Sequence, residues 1–154
     1  MWALRNLKRL GASPDDLVDV WLKQGRSLLE YASPLWTHSI TDKEVSSIEA
    51  CQKVALGIIF GKKYVSYSNI LQQTGLLTLN DRRNILFERF SFKTFKNAKY
   101  EKWFERNLPK EYHTRTERPF LKPIPTTSAA YERSALPMMI SVINNKLKQN
   151  HTKT

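Results

Sequence analysis

Thr41-Asp-Lys-Glu-Val-Ser-Ser-Ile-Glu-Ala-Cys-Gln-Lys-Val-Ala-Leu-Gly-Ile-Ile-Phe-Gly61 is the stretch whose reading decides the fold. Thr41 with Glu44 three residues on makes a capping box, and Ile40 with Val45 occupies the staple positions that set the entry angle of a helix. The spacing predicts a helix from Asp42 to about Phe60, with Val45, Ile48, Cys51 or Gln52, Ala55, Ile58 and Ile59 turned inward and Gly61 as the C-cap. Upstream, Leu4, Leu7 and Leu10 fall on one face of a first helix stopped by Gly11. Ser13-Pro14 then opens a second, whose Asp15, Asp16 and Asp19 favour the positive helix end. That second helix is expected to run towards Tyr31 and to be buried over a wide arc of Leu17, Val18, Val20, Trp21, Leu22, Leu28, Leu29, Tyr31 and Ala32, with Gly25 weakening or bending it before Ser33-Pro34 breaks it.

Downstream, Ser66 or Ser68 caps a short helix containing Ile70 and Leu71 and ended by Gly75, and Asn80 caps a long basic helix from Asp81 to Lys96. Pro109, Pro119, Pro123 and Pro125, set among charges and hydroxyl residues, mark an extended, mobile linker. A last helix follows Ser134, with Met139, Ile140, Ile143 and Leu147 inward. Hairpin signals, repeats and a Gly-x-Gly fingerprint are absent. The fold class is therefore all-α, an irregular bundle of about five to six helices, divided as a helical domain over 1–104, a Pro-rich basic linker over 105–133 and a C-terminal helix over 134–150.

The chain has 154 residues, 41% of them hydrophobic, enough for a core that needs no covalent staples. A single cysteine, Cys51, excludes an internal disulfide, and Cys and His are too few for a zinc framework. The apolar run Val54 to Gly61 is far short of the ~20 residues that span a bilayer, and no secretory leader pattern follows Met1. These readings imply an intracellular protein of nucleus or cytoplasm with no membrane partner. The net charge of +11 is unevenly placed, since residues 1–60 carry seven Lys/Arg against seven Asp/Glu, whereas 61–154 carry 18 against 7. That asymmetry fits either a polyanionic partner or a solvated basic surface.

Candidate catalytic patterns fail on chemistry. Gly57-Ile-Ile-Phe-Gly61-Lys62-Lys63 is one residue short of a phosphate loop and lies at the carbonyl end of its helix. Asp15-Asp16 opens a helix, so capping explains the pair better than a two-magnesium site. His38, Ser39 and Asp42 are too close in sequence to build a hydrogen-bonded relay, and Cys51 reads as a small core residue. No catalytic residue, metal ligand or cofactor is expected. What remains is a basic set interleaved with aromatics: Lys62, Lys63, Arg82, Arg83, Arg89, Lys93 and Lys96 as phosphate contacts, with Tyr64, Tyr67, Tyr100 or Trp103 as stacking platforms. Phe87 and Phe90 are assigned to the core.

Three stretches in order, Leu4 to Gly11, Arg26-Ser-Leu-Leu-Glu-Tyr-Ala-Ser-Pro-Leu-Trp36 and Ile48 to Gly61, resemble the thumb and post-thumb region of reverse transcriptases of non-LTR retrotransposons. Leu76 to Arg83, Arg133-Ser-Ala-Leu-Pro-Met-Met139 and Asn144 are similar to later landmarks of that region, so the resemblance covers nearly the whole chain. It implies a helical module that holds RNA template and DNA, with the rest of a reverse transcriptase as a further partner. The family's catalytic aspartates lie upstream of the matched region and have no counterpart here, so polymerase activity is not carried over. Gly57 departs from the more common basic residue of the pattern, and the first helix lacks a capping residue before Met1. Both departures point to a degenerate or truncated copy.

The reading is a non-catalytic, retroelement-derived fragment that binds RNA or DNA through a basic face. Its alternative is a helical protein-interaction module that exposes Trp2, Leu4 and Leu7, or a remnant without independent function.

Overall fold

A computed structural model describes residues 1–107 and 120–151, with backbone alone for Asn150 and His151. The fold is all-α: the described residues contain helices and an isolated bridge but no strand. The chain forms two compact units, residues 1–33 with 40–83 and residues 34–39 with 84–154. These units do not coincide with the division at 104/105 and 133/134 expected from proline content.

In the first unit, α1 (Trp2–Arg9), α2 (Pro14–Val20), α5 (Asp42–Phe60) and α6 (Tyr67–Thr74) surround Leu4, Leu17, Trp21, Ala55, Leu56, Ile59 and Ile70. The capping box at Thr41 forms as expected: Thr41 N–H donates to Glu44 Oε2 at 2.7 Å and Glu44 N–H to Thr41 Oγ1 at 3.4 Å. Of the pair Cys51 or Gln52, Gln52 is the buried one, and Leu56 joins it although it was not expected there. The end of α5 is closed from outside, because Lys8 Nζ donates to the carbonyls of Ile58 at 2.5 Å and Ile59 at 3.0 Å. A cation on the last carbonyls complements the helix dipole. Gly61 is required for this approach, since its φ is +53° and a Cβ there would lie 2.8 Å from Lys8 Nζ.

Beyond Trp21 the expected arc of the second helix holds at Leu22 and Leu29 and fails at Leu28 and Tyr31. The backbone widens into a π turn over Trp21–Arg26 before α3 (Ser27–Leu29), and Gly25 makes room for the buried Trp21 ring, 2.3 Å from where a Cβ would stand. An extra residue in the turn advances the helical phase, so the position seven after Trp21 no longer faces inward. Leu29 packs on the core, while Leu28 and Tyr31 are exposed. Leu10 is exposed as well, because α1 ends at Arg9 and Leu10 is its C-cap.

The short α4 (Ser33–Trp36) leads into the second unit, and α7 (Leu79–Phe95) starts in the first unit and continues in the second. Its cap is Thr78 rather than Asn80: Asp81 N–H donates to Thr78 Oγ1 at 3.0 Å. In the second unit Phe87, Phe104, Leu121, Met139, Ile140 and Ile143 form the core. A 3₁₀ turn (Ala98–Trp103), α8 (Ala129–Glu132) and α9 (Ala135–His151) complete it. The expected mobile linker needs correction where it is described. Arg106 and Leu121 pair in an antiparallel bridge, with Asn107 N–H donating to Phe120 O at 3.0 Å and Lys122 N–H to Glu105 O at 2.8 Å. Leu121 is wholly buried and Ile124 packs on the same core, so apolar anchors override the proline signal. Pro109 and Pro119 lie outside the described residues.

His38 meets Phe87 edge-on in this unit, ring centroids 4.4 Å apart. Burial holds its imidazole below the ordinary value of 6.5. The folded chain therefore keeps His38 neutral at pH values where the unfolded chain takes up a proton. Stability is expected to be flat above pH 6.5 and to fall below it, with a slope of at most about 1.4 kcal/mol per pH unit for one proton. Urea unfolding across pH 5 to 8 checks this, and a pH slope undiminished in His38→Leu would assign the loss elsewhere.

Candidate nucleic-acid interface

The residues expected to contact phosphate divide between the two units. Lys62 and Lys63 are exposed in a 3₁₀ turn, Gly61–Lys63, just after α5. Because that turn follows the carbonyl end of a helix already capped by Lys8, the two lysines offer side-chain charge and no backbone N–H cradle.

The first turn of α7 uses its arginines for other purposes. Arg82 Nε donates to Glu30 Oε1 at 2.5 Å and leaves a third of its side chain exposed. Arg83 is a correction: it is 1% exposed, its Nη2 lies 3.4 Å from Asn80 Oδ1, and burial pulls its guanidinium below the ordinary value. A buried guanidinium is not presented to a nucleic-acid backbone.

Further along α7, in the second unit, the expected residues do come together. Ile85, Glu88, Arg89, Phe92, Lys93 and Lys96 line an open groove of about 520 Å³. Their spacing of three and four residues puts all six on one helix face. Arg89, Lys93 and Lys96 are exposed and have no ion-pair partner among the described residues. The acidic member is already neutralised, since Glu88 Oε1 accepts from Lys146 Nζ of α9 at 2.8 Å. Ile85 and Phe92 give this cationic row an apolar floor.

The aromatic candidates separate in the same way. Tyr64 packs on the first core, and Tyr67 donates its hydroxyl to Glu49 and accepts from Gln52 Nε2 at 2.9 Å, so neither is a platform for bases. Tyr100 and Trp103 meet at a tilt of 40° with centroids 4.7 Å apart, Lys99 Nζ stands 5.9 Å over Tyr100, and Trp103 is half exposed. Phe87 is buried and Phe90 packs on the second core, as expected.

Ser13 caps α2 by accepting from Asp16 N–H at 3.2 Å, Cys51 is half-buried with its thiol 3.5 Å from Ser47 O, and Ser39 Oγ is 3.4 Å from Arg133 O. Among the described residues no group of His, Cys, Asp and Glu could hold a metal, and no helix is long and apolar enough to cross a membrane. Sequence reasoning missed Arg26, which shares Glu30 with Arg82. The four-residue spacing of Arg26 and Glu30 was the available signal. No family model, curated protein or solved structure matches the chain.

Proposed function

We propose that this chain is a non-catalytic module that binds the phosphate backbone of RNA or DNA, acting in nucleus or cytoplasm as a retroelement-derived piece similar to the post-polymerase region of non-LTR reverse transcriptases. The observation that carries the reading is the row Arg89, Lys93 and Lys96 along one groove, exposed and without an ion-pair partner among the described residues. Lys62 and Lys63 add charge in the other unit, and the excess of 18 Lys/Arg over 7 Asp/Glu across 61–154 supplies the long-range attraction. Ile85 and Phe92 let the aliphatic stems of these cations lie flat while their heads reach outward.

Fluorescence anisotropy of a labelled single strand over a salt series tests it. Three phosphate contacts on a single strand predict a slope of log K against log salt near about −2. Arg89→Glu/Lys93→Glu/Lys96→Glu is expected to weaken binding by more than about tenfold at low salt. Absence of binding at low salt, or binding indifferent to salt, overturns the reading.

Of the three residues expected to be exposed on α1, Leu4 is buried and Leu7 packs on the first core, which leaves Trp2; together with the exposed Leu10 it favours a second reading, a protein-interaction module. Apolar dye binding reduced in Trp2→Ser/Leu10→Ser would support it; no dye binding by the parent chain would remove its basis.

A further inference from the structure

Arg26, at the end of the π turn, and Arg82, in the first turn of α7, both direct Nε at the same carboxylate oxygen, Glu30 Oε1, at 3.7 and 2.5 Å. All three side chains belong to the first unit and none is fully open to water, at 17% exposure for Arg26, 33% for Arg82 and 11% for Glu30. Two guanidiniums and one carboxylate leave a surplus positive charge in a half-desolvated place. Only Arg82 is within hydrogen-bond distance of Glu30, since 3.7 Å is an ion pair without a hydrogen bond. The Arg26 guanidinium makes no hydrogen bond among the described residues, and Arg82 uses one donor of its planar fork. Burial and the neighbouring Arg82 both depress the Arg26 guanidinium from its ordinary value, a like-charge conflict that a second anion would relieve.

We infer that Arg26 and Arg82 form a phosphate-binding site whose position Glu30 occupies in the unliganded chain. A tetrahedral dianion fits this pair better than a second carboxylate, because its several oxygens can take the outer N–H groups of both forks at once. The π turn ends at Arg26, and the regular α turn after it brings Arg26 and Glu30 to one face, with Glu30 N–H donating to Arg26 O at 2.9 Å. The site shares no residue with the α7 groove and does not rest on it: the ligand chemistry is a phosphate, from a nucleic-acid backbone or from a small phosphorylated molecule.

Spectra selective for arginine Nε–Hε, recorded on the full chain titrated with inorganic phosphate at constant pH and ionic strength, test the site. The Arg26 and Arg82 resonances, assigned from Arg26→Lys and Arg82→Lys, are expected to move together and to saturate. Glu30→Gln is expected to tighten phosphate binding about fivefold by removing the competing charge. An oligonucleotide that moves the same two signals identifies the backbone as the source; phosphate moving them where the oligonucleotide does not identifies a small phosphorylated ligand. Signals unmoved at tens-of-millimolar phosphate overturn the site, and so does a folded Glu30→Gln chain that binds phosphate no better than the parent. The titration of the parent chain decides by itself if Glu30→Gln does not fold. Anisotropy loss in the α7 charge reversal, with these resonances still responding to phosphate, separates the two sites.

Discussion

Glu49→Ala is expected to destabilise the chain by about 2–3 kcal/mol, with Glu49→Gln recovering roughly half of that loss. Glu49 lies on α5, yet its carboxylate completes the start of another helix: Oε1 accepts from Leu79 N–H at 3.2 Å and Oε2 from Asn80 N–H at 3.3 Å. These are two of the N–H groups that α7 cannot satisfy from within, and a negative charge there also meets the positive helix end. The same carboxylate accepts from the Tyr67 hydroxyl, which in turn accepts from Gln52 Nε2, whose second hydrogen bond goes to Leu77 O at 3.0 Å. Gln52 is 1% exposed and its Oε1 has no hydrogen-bond partner among the described residues, so a break in this chain removes one of the only two bonds its buried amide makes there. Burial first, and then the hydrogen bond to Glu49, push the Tyr67 phenol above its ordinary value of 10.0.

Two measurements check the effect together. Urea unfolding gives the loss of stability, and amide exchange at Leu79 and Asn80 shows whether it arises at the start of α7. Glutamine keeps an acceptor for one N–H but not the charge, which is why partial recovery is expected. A Glu49→Ala chain within about 0.5 kcal/mol of the parent would mean that water replaces the carboxylate at all three contacts.

What could be read in advance follows the range of the interactions. The Thr41 to Gly61 helix was legible because its box and C-cap are local chemistry, written within three or four residues of each end. Glu49 was not, since its partners at 79 and 80 are thirty residues away and nothing in α5 announces them. The arc of the second helix was drawn too wide for a related reason: a lone glycine signals weakness, but only the packed Trp21 ring turns that weakness into a π turn that keeps Leu29 on the core and leaves Leu28 outside. At the candidate site, the spacing of 89, 93 and 96 is that of one helix face, yet these three were read as one set with Lys62, Lys63, Arg82 and Arg83. Arg83 looked identical in composition and is buried, because position 83 falls on the inward stripe with Leu79 and Phe87. A charge count does not distinguish a cation that meets solvent from one enclosed by the fold.

Asn144→Ala is expected to cost about 2–4 kcal/mol, and it tests how the segment read as a linker is held. Leu121 is wholly buried, and the bridge with Arg106 does not use its own amide: the flanking groups, Phe120 O and Lys122 N–H, make those hydrogen bonds. In an antiparallel pair, alternate residues turn their N–H and C=O away from the partner, which leaves the Leu121 groups needing another one. Asn144 on α9 supplies it, with Oδ1 accepting from Leu121 N–H at 2.8 Å and Nδ2 donating to Leu121 O at 3.0 Å. A side-chain amide thus stands where a third strand would be, and alanine leaves both groups unsatisfied. Asn144→Asp is the sharper variant. It keeps the acceptor but turns a carboxylate oxygen towards the Leu121 carbonyl, so it is expected to be at least as destabilising as alanine although its shape is nearly unchanged. Fast exchange of the Leu121 amide should accompany the loss in both variants. A tolerant Asn144→Asp would show that the acceptor half alone anchors the segment, and a tolerant Asn144→Ala that burial of the Leu121 side chain is sufficient to hold it.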